Sequence, residues 1–501
     1  MARHAVERDQ DGALDLVEYC EVTTQPDVCA FDAQETAAQP LARDVSMREL
    51  LAFSGPAVAL YLNSPLLSLI DSAAVGRGAA LTAGGTLELA ALGPATAVAD
   101  SVFAMFTFLS VATTTTMARA RARGGDDAAA VAEREAATRQ VATNALTIST
   151  AFGCLAAVAL AALAPRIAAL YCTRADGGAA ALARHAARYI RVRAYGFPFS
   201  LVTLAAQAAC LGAQDAVSPL VAVVAGGAVN MALDFVLVVR PLHTGAVGAA
   251  WATVAAQSVA ATLLVRRLVR KRFVTRASLR RWPRRAELWE FLRFGPFFFV
   301  LLMKLLLYNS ATVLITGIGS AALAAHQVMF AAFMFCAAFA DMLASTCQAF
   351  LPAYVDADSG ELRMRDARPT LNRILALTAG VALLTNGIIR AVPRAGALFT
   401  DDLIVRKLMR SIEGVIGCCL LAHGSCVTLE GVLLVKRDLP FLVASYGVGG
   451  LIVAWVARAL ARAGPTLGNV WMMLTVYQFA RAALFAARVF WRRSAAESPG
   501  P

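Results

Sequence analysis

ELAALGPATAVADSVFAMFTFLSVATTTTMARA (Glu88–Ala120) and ALAAHQVMFAAFMFCAAFADMLASTCQAFLPA (Ala322–Ala353) decide the fold. Each holds an apolar run that meets the roughly 20 residues a bilayer core demands. Each also follows an apolar segment marked by Gly-Pro, FSGPAVALYL (Phe53–Leu62) in the first case and FGPFFFVLL (Phe294–Leu302) in the second. Gly55-Pro56 answers Gly295-Pro296, and the later segments align once six extra residues are allowed in the Gly-rich loop of the first half. The correspondence continues downstream, where AQAACLGAQDAVSP (Ala206–Pro219) resembles LEGVLLVKRDLP (Leu429–Pro440), with Gln207 and Asp215 spaced as Glu430 and Asp438 are. The chain is an internal duplication.

Working outward, apolar segments lie at roughly 50–75, 88–117, 140–165, 188–212, 217–239, 246–265, 288–318, 321–350, 371–392, 411–435, 441–461 and 467–490. The composition agrees, with 58% hydrophobic residues, 16% charged and a mean hydropathy of +0.62. The expectation is an all-α polytopic membrane protein of twelve transmembrane helices in two six-helix repeats. Each half has an even number of spans, so both enter from the same side, as in transporters with parallel repeats. Polar stretches between spans are short and leave no room for a soluble catalytic domain.

The domain plan is a tail at 1–45, an N-terminal six-helix lobe at 46–265, a basic linker at 266–286, a C-terminal six-helix lobe at 287–491 and a second tail at 492–501. The first tail carries ten Asp and Glu against three Arg, with Pro26 and Pro40, and reads as a disordered cytosolic extension. It lacks the apolar core of a secretory signal and is acidic where a transit peptide is Arg- and Ser-rich, so it does not itself support plastid import. The linker RRLVRKRFVTRASLRRWPRR (Arg266–Arg285) holds ten Arg and Lys and no acid. Between two spans, the positive-inside rule explains it better than nucleic-acid binding does, and puts the linker and both termini in the cytosol. Arg390, Arg394, Arg406, Lys407 and Arg410 then fall in or beside an outer loop, against that rule.

Enzyme chemistry finds no support. The ten Cys contain no CxxC pair and fall mostly within spans, apart from Cys20, Cys29 and Cys172, and the five His are scattered. Neither a zinc site nor a nucleophile with its base can be assembled from local spacing.

Polar residues inside the spans are more informative, because the duplication does not repeat them. Asp71, in LNSPLLSLIDSAAVG (Leu62–Gly76), corresponds to Ala311. In NMALD, Asn230 and Asp234 stand four residues apart on one helix face, with apolar or Gly counterparts. Thr253 aligns with Met473 when Trp251 is set against Trp471. A carboxylate at a span centre costs about 2.5–3.5 kcal/mol on insertion scales, so a one-sided cluster of two acids, an amide and a hydroxyl marks function. If the four converge they suit Na⁺, and two close carboxylates equally suit a shared proton.

LAALGPATAVADSVFAMFTFLSVATTTTMA, together with IDSAAVGR, ACLGAQDAVSP, GAVGAAWAT and LAAHQV in that order, resembles the multidrug and toxic compound extrusion (MATE) transporters, particularly their plant and algal plastid-type branch. The resemblance covers about residues 45–490. It implies a V-shaped pair of six-helix bundles that exports an organic solute in exchange for H⁺ or Na⁺ by alternating access, with no cofactor beyond that ion. It also implies a cation site in the N-terminal lobe, whose acids, amide and hydroxyl match Asp71, Asn230, Asp234 and Thr253. The alternatives are a lipid-linked oligosaccharide or polysaccharide flippase of the same superfamily, and a non-transporting sensor on the same scaffold.

For the substrate cavity the candidates are Lys304, Asp341, Asp100, Glu430, Gln207, His326 and Gln327, with Lys304 and Asp341 expected to pair. Lys304 in the core leans toward an anionic organic substrate. Membrane lipid is the other expected partner, nucleic acid is not one, and the chain is expected to act as a monomer. The plastid envelope follows from the resemblance, with the plasma or vacuolar membrane as alternatives.

Overall fold

The computed structural model describes residues 45–490 except 80–94, 97, 123–127, 172–178, 240–243, 276, 279–280, 357–358, 360 and 397–401. In the first helix the backbone is described to Ala79 but the side chains only as far as Asn63. The acidic tail, Cys20, Cys29 and Cys172 therefore lie outside the described residues, and so does the side chain of Asp71.

The N-terminal lobe comprises α1 (Met47–Ala79), α2 (Thr107–Ala122), α3 (Ala128–Tyr171), α4 (Ala179–Gly212), α5 (Val217–Asp234) and α6 (Gly245–Arg270). A short α7 (Arg285–Leu292) leads into the C-terminal lobe, formed by α8 (Phe297–Thr316), α9 (Ser320–Phe350), α10 (Met364–Ala391), α11 (Leu403–Val435), α12 (Leu439–Ala463) and α13 (Leu467–Phe490). Eleven helices among the described residues are long and apolar enough to cross a membrane, and the 33-residue α1 stands where the first span is expected. The only β-structure among the described residues is one isolated bridge, Val355 to Leu362. The protein is an all-α, multi-pass membrane protein.

Local chemistry sets the ends of these helices. Ser46 and Glu49 exchange bonds at the start of α1, the Glu49 N–H donating to Ser46 Oγ at 3.2 Å and the Ser46 N–H to Glu49 Oε2 at 3.1 Å. Helices α4 and α11 end in the same turn, with Gln214 and Arg437 in the left-handed region at φ 61° and 57°. The Asp215 N–H donates to Cys210 O at 2.9 Å, as the Asp438 N–H does to Leu433 O at 3.0 Å. Each Asp then meets a cation from the C-terminal end of a helix two further on: Lys271 bonds Asp215, and Arg488 lies 2.7 Å from Asp438. The register expected from the duplication holds at this turn. It breaks at the Gly-Pro marks, since α1 runs unbroken through Gly55-Pro56 whereas turns at Phe294-Gly295-Pro296 separate α7 from α8.

Three apolar clusters hold the bundle together. One lies within the N-terminal lobe around Ile190, Phe197 and Val238, and another within the C-terminal lobe around Phe333, Trp471 and Leu474. The third spans both lobes, with Phe53 of α1 edge-on to Phe350 of α9 at 5.3 Å between centroids. Small residues let the helices approach: a Cβ on Gly212 would stand 2.5 Å from Thr114 O. The threonine run of α2 is part of this packing. Thr113 and Thr115 donate to the carbonyls of Leu109 and Val111 in their own helix, and Thr114 donates to Ala208 O of α4 at 3.3 Å.

Polar contacts also tie the lobes together. Ser54 Oγ lies 3.2 Å from Thr346 Oγ1, and Tyr61 bonds Ser345. Arg119 donates to Val435 O at 2.6 Å, capping α11 from the opposite lobe, and Arg373 donates to Val45 O at 2.7 Å. These bonds gather toward the end of the bundle that carries the basic linker.

Candidate functional site

A cavity of about 550 Å³ lies between the lobes, lined by α1, α2, α4, α5 and α6 on one side and α8, α9 and α11 on the other. Asn230 and Thr253, two of the polar set of the N-terminal lobe, border it. Asn230 and Asp234 are both buried, and Asn230 Nδ2 donates to Asp234 Oδ2 at 2.8 Å, the bond that their four-residue spacing implies. Asn230 lines the cavity and Asp234 sits one turn behind it. Directly after Asp234 the α-helix widens into a π-helical segment, Phe235–Val239, a departure that often accompanies functional sites. Thr253 of α6 lines the same cavity and donates to Ala249 O at 2.9 Å. Helix α1, which carries Asp71, packs against both α5 and α6.

The opposite wall corrects the expected Lys304–Asp341 pair. Lys304 Nζ bonds Glu430 Oε1 at 2.7 Å, and Glu430 Oε2 accepts from Tyr446 at 2.5 Å and from Arg481 at 3.2 Å. Arg481 continues to Gln478 Oε1 at 3.1 Å, and Gln478 Nε2 reaches Tyr308 at 3.1 Å and His423 Nδ1 at 3.0 Å. One carboxylate thus holds two cations at the mouth of a buried polar chain. Its cost in a membrane is offset by the two cations and the Tyr446 hydroxyl that it bonds.

Asp341 lies in the same cavity lining and interacts electrostatically with Lys304 and Glu430, but among the described residues it makes no hydrogen bond and no ion pair within 4 Å. Asp100 also faces the cavity, with Oδ1 3.7 Å from Arg193 Nη2, and Gln207 contributes to the same lining. His326 and Gln327 do not line it. His326 is buried in the C-terminal lobe, 3.1 Å from Thr312 Oγ1 and stacked on Phe330 at 5.4 Å, and Gln327 is exposed one position on.

Sequence reading overlooked Arg193, Arg481, Tyr446, Gln478 and His423. The argument that flagged Lys304 applies to Arg481, a cation within the last span, and would have found it. Outside the spans, burial works against ionisation of Asp215, but bonds from Lys271 and Ser218 outweigh it and hold its carboxyl below the usual carboxylate range. Among the described residues, no group of three or more His, Cys, Asp or Glu is arranged to hold a metal ion.

Two sets of membrane-spanning helices around an intramembrane polar cavity are the arrangement of a membrane transporter. The MatE family model matches residues 56–236. Protein DETOXIFICATION 47, chloroplastic, of Arabidopsis thaliana is 30% identical over 91% of this chain and 80% of its own length. Protein DETOXIFICATION 44, chloroplastic, of the same plant is 27% identical over 88% of this chain and 82% of its own length. Among solved structures, an outward-facing multidrug resistance MATE family transporter of the MOP superfamily superposes with a TM-score of 0.72 at 20% identity, covering 90% of this chain and 96% of that one. A MOP superfamily transporter from Pyrococcus furiosus gives a TM-score of 0.73 at 19% identity, covering 90% of this chain and 97% of that one. The chain belongs to the MATE family of transporters.

Proposed function

We propose that the protein is a cation-coupled antiporter that moves an organic solute through the cavity between its lobes in exchange for H⁺ or Na⁺. The observation that carries this reading is the Asn230–Asp234 pair, a buried carboxylate and amide set directly behind a cavity that both lobes line. Asp71, Asn230, Asp234 and Thr253 form the coupling site in this proposal, and Na⁺ or a proton is its ligand. Loading the site neutralises buried charge, so the two lobe arrangements differ in their affinity for the ion, which is what biases an alternating-access equilibrium.

Lys304 supports an anionic substrate less than its position alone suggests, because it bonds Glu430, which it shares with Arg481, and also interacts with the Asp341 carboxylate. Asp341 is a carboxylate of the lining with no hydrogen bond of its own among the described residues, so we assign the solute an amine or other hydrogen-bond donor that meets it. The charged side chains of the wall are largely paired with one another rather than uniformly basic, which argues against a lipid-linked flippase. We place the protein in the plastid envelope, on the strength of two relatives named as chloroplastic. Reconstitution into liposomes with separately imposed pH and Na⁺ gradients tests the reading. Uphill accumulation of an amine-bearing solute under at least one gradient is expected, and accumulation under neither, across a panel of amines, anions and neutral solutes, would refute it.

A further inference from the structure

The segment joining the lobes carries more charge than the fold uses. Arg266, Arg270, Arg272, Arg284, Arg285 and Arg293 are exposed, and among the described residues none of them has a carboxylate partner. The acids nearby are already occupied, Asp215 by Lys271 and Ser218. Glu287 accepts from Gln140 at 2.6 Å, from Asn144 at 3.0 Å, from Arg281 at 3.0 Å and from the Arg284 N–H at 3.0 Å, while Glu290 meets Arg437 at 2.7 Å. Beside these arginines, Trp282 and Trp289 are 66% and 67% exposed, although nothing in the fold requires large apolar rings at the surface.

The depth of the segment follows from its attachments. It begins where the α6 span ends at Arg270 and leads into the span that starts at Arg285. Between them, Ser278 accepts from Thr143 of α3 at 2.9 Å, and Glu287 is bonded to Gln140 and Asn144 of the same helix. Helix α3 has 44 residues, about 66 Å at 1.5 Å per residue, so its N-terminal turns extend past a hydrocarbon core of about 30 Å. Thr143 and its neighbours fall near the boundary. A surface that combines unpaired arginines with exposed indoles at that depth matches the phosphate and interfacial layers of a bilayer in both charge and polarity.

We propose that these six exposed arginines and two tryptophans form a docking surface for anionic phospholipids, with the arginines on the headgroup phosphates and Trp282 and Trp289 in the interfacial layer. The inference rests on the membrane fold and not on the transport cycle. The full-length protein is reconstituted in phosphatidylcholine vesicles containing either brominated phosphatidylglycerol or the same fraction of brominated phosphatidylcholine, and tryptophan quenching is compared. Stronger quenching by the phosphatidylglycerol is expected. That excess should vanish in a Trp282→Phe/Trp289→Phe variant and in an Arg272→Gln/Arg284→Gln/Arg285→Gln/Arg293→Gln variant, and should shrink in the native protein as ionic strength rises. If the quadruple variant does not insert, single Arg272→Gln and Arg293→Gln variants should each lose part of it. Equal quenching by the two lipids would overturn the proposal, as would an excess that survives the arginine substitutions. An excess abolished by added inorganic phosphate at constant ionic strength would assign the surface to soluble anions and overturn it equally.

Discussion

Glu430 holds two cations on one carboxylate, and the consequences of removing each partner are unequal. Lys304→Met leaves Glu430 with Arg481 and Tyr446, so the remaining charges stay balanced. Glu430→Gln removes the carboxylate that both Lys304 and Arg481 bond and leaves the buried Arg481 without an ion-pair partner among the described residues, and breaking a buried pair in this way costs about 3–5 kcal/mol. Thermal unfolding in detergent should therefore show a large drop for Glu430→Gln and a small one for Lys304→Met. Equal losses would mean that Lys304 is as structural as Glu430. Asp215 gives a second test, this one through pH. Its carboxyl is held below the ordinary range, so the stability that it contributes is full above about pH 4 and is lost as pH falls through its lower folded value. The melting temperature of Asp215→Asn should lie below that of the native protein at neutral pH, and the gap should close as the medium is acidified below pH 4. A gap that stays constant into acid would show that the Asp215–Lys271 bond does not contribute.

At the scale of the elements, what was legible in the sequence is what local chemistry fixes. Span positions follow from runs of apolar residues, and the matching of Asp215 with Asp438 follows from a turn whose chemistry both halves retain. The Asn230–Asp234 bond was legible for the same reason, since four residues in one helix leave little freedom. Which helix face meets which was not legible. Lys304 chooses Glu430 of α11 over Asp341 of α9 through the rotation and depth of three packed helices, and neither quantity is written in any local pattern. The π-helical segment after Asp234 was equally hidden. Arg119 belongs to this scale too, since it caps α11 from α2 across the lobe boundary. Replacing it with Ala should loosen closure at the linker end, so that a cysteine placed at Thr114 reacts with a water-soluble thiol reagent from that side several-fold faster than in the native background. An unchanged rate would show that the contact is incidental to closure.

For the whole molecule, the architecture makes one demand that its parts do not: the two lobes must have different jobs. The duplication supplies two similar bundles, yet the buried acid and amide of α5 have no counterpart in α12, while Glu430 is answered in the first half by the uncharged Gln207. Under the proposed antiport, an asymmetric pair of this kind lets one lobe hold the coupling ion while both shape the path of the solute. Joined by the Arg266–Arg285 segment and bonded to each other toward the linker end, the lobes would have to rearrange those bonds in the proposed alternating-access cycle.

The central claim is that Asp234 couples ion movement to solute movement, and reconstituted Asp234→Asn tests it most directly. The variant keeps the size and hydrogen-bonding capacity of the side chain while removing its charge, so it should insert and bind solute. In liposomes it should still exchange solute down a solute gradient, but it should fail to accumulate solute when a pH or Na⁺ gradient is imposed. Gradient-driven accumulation at the native level by a well-expressed Asp234→Asn protein would contradict the account.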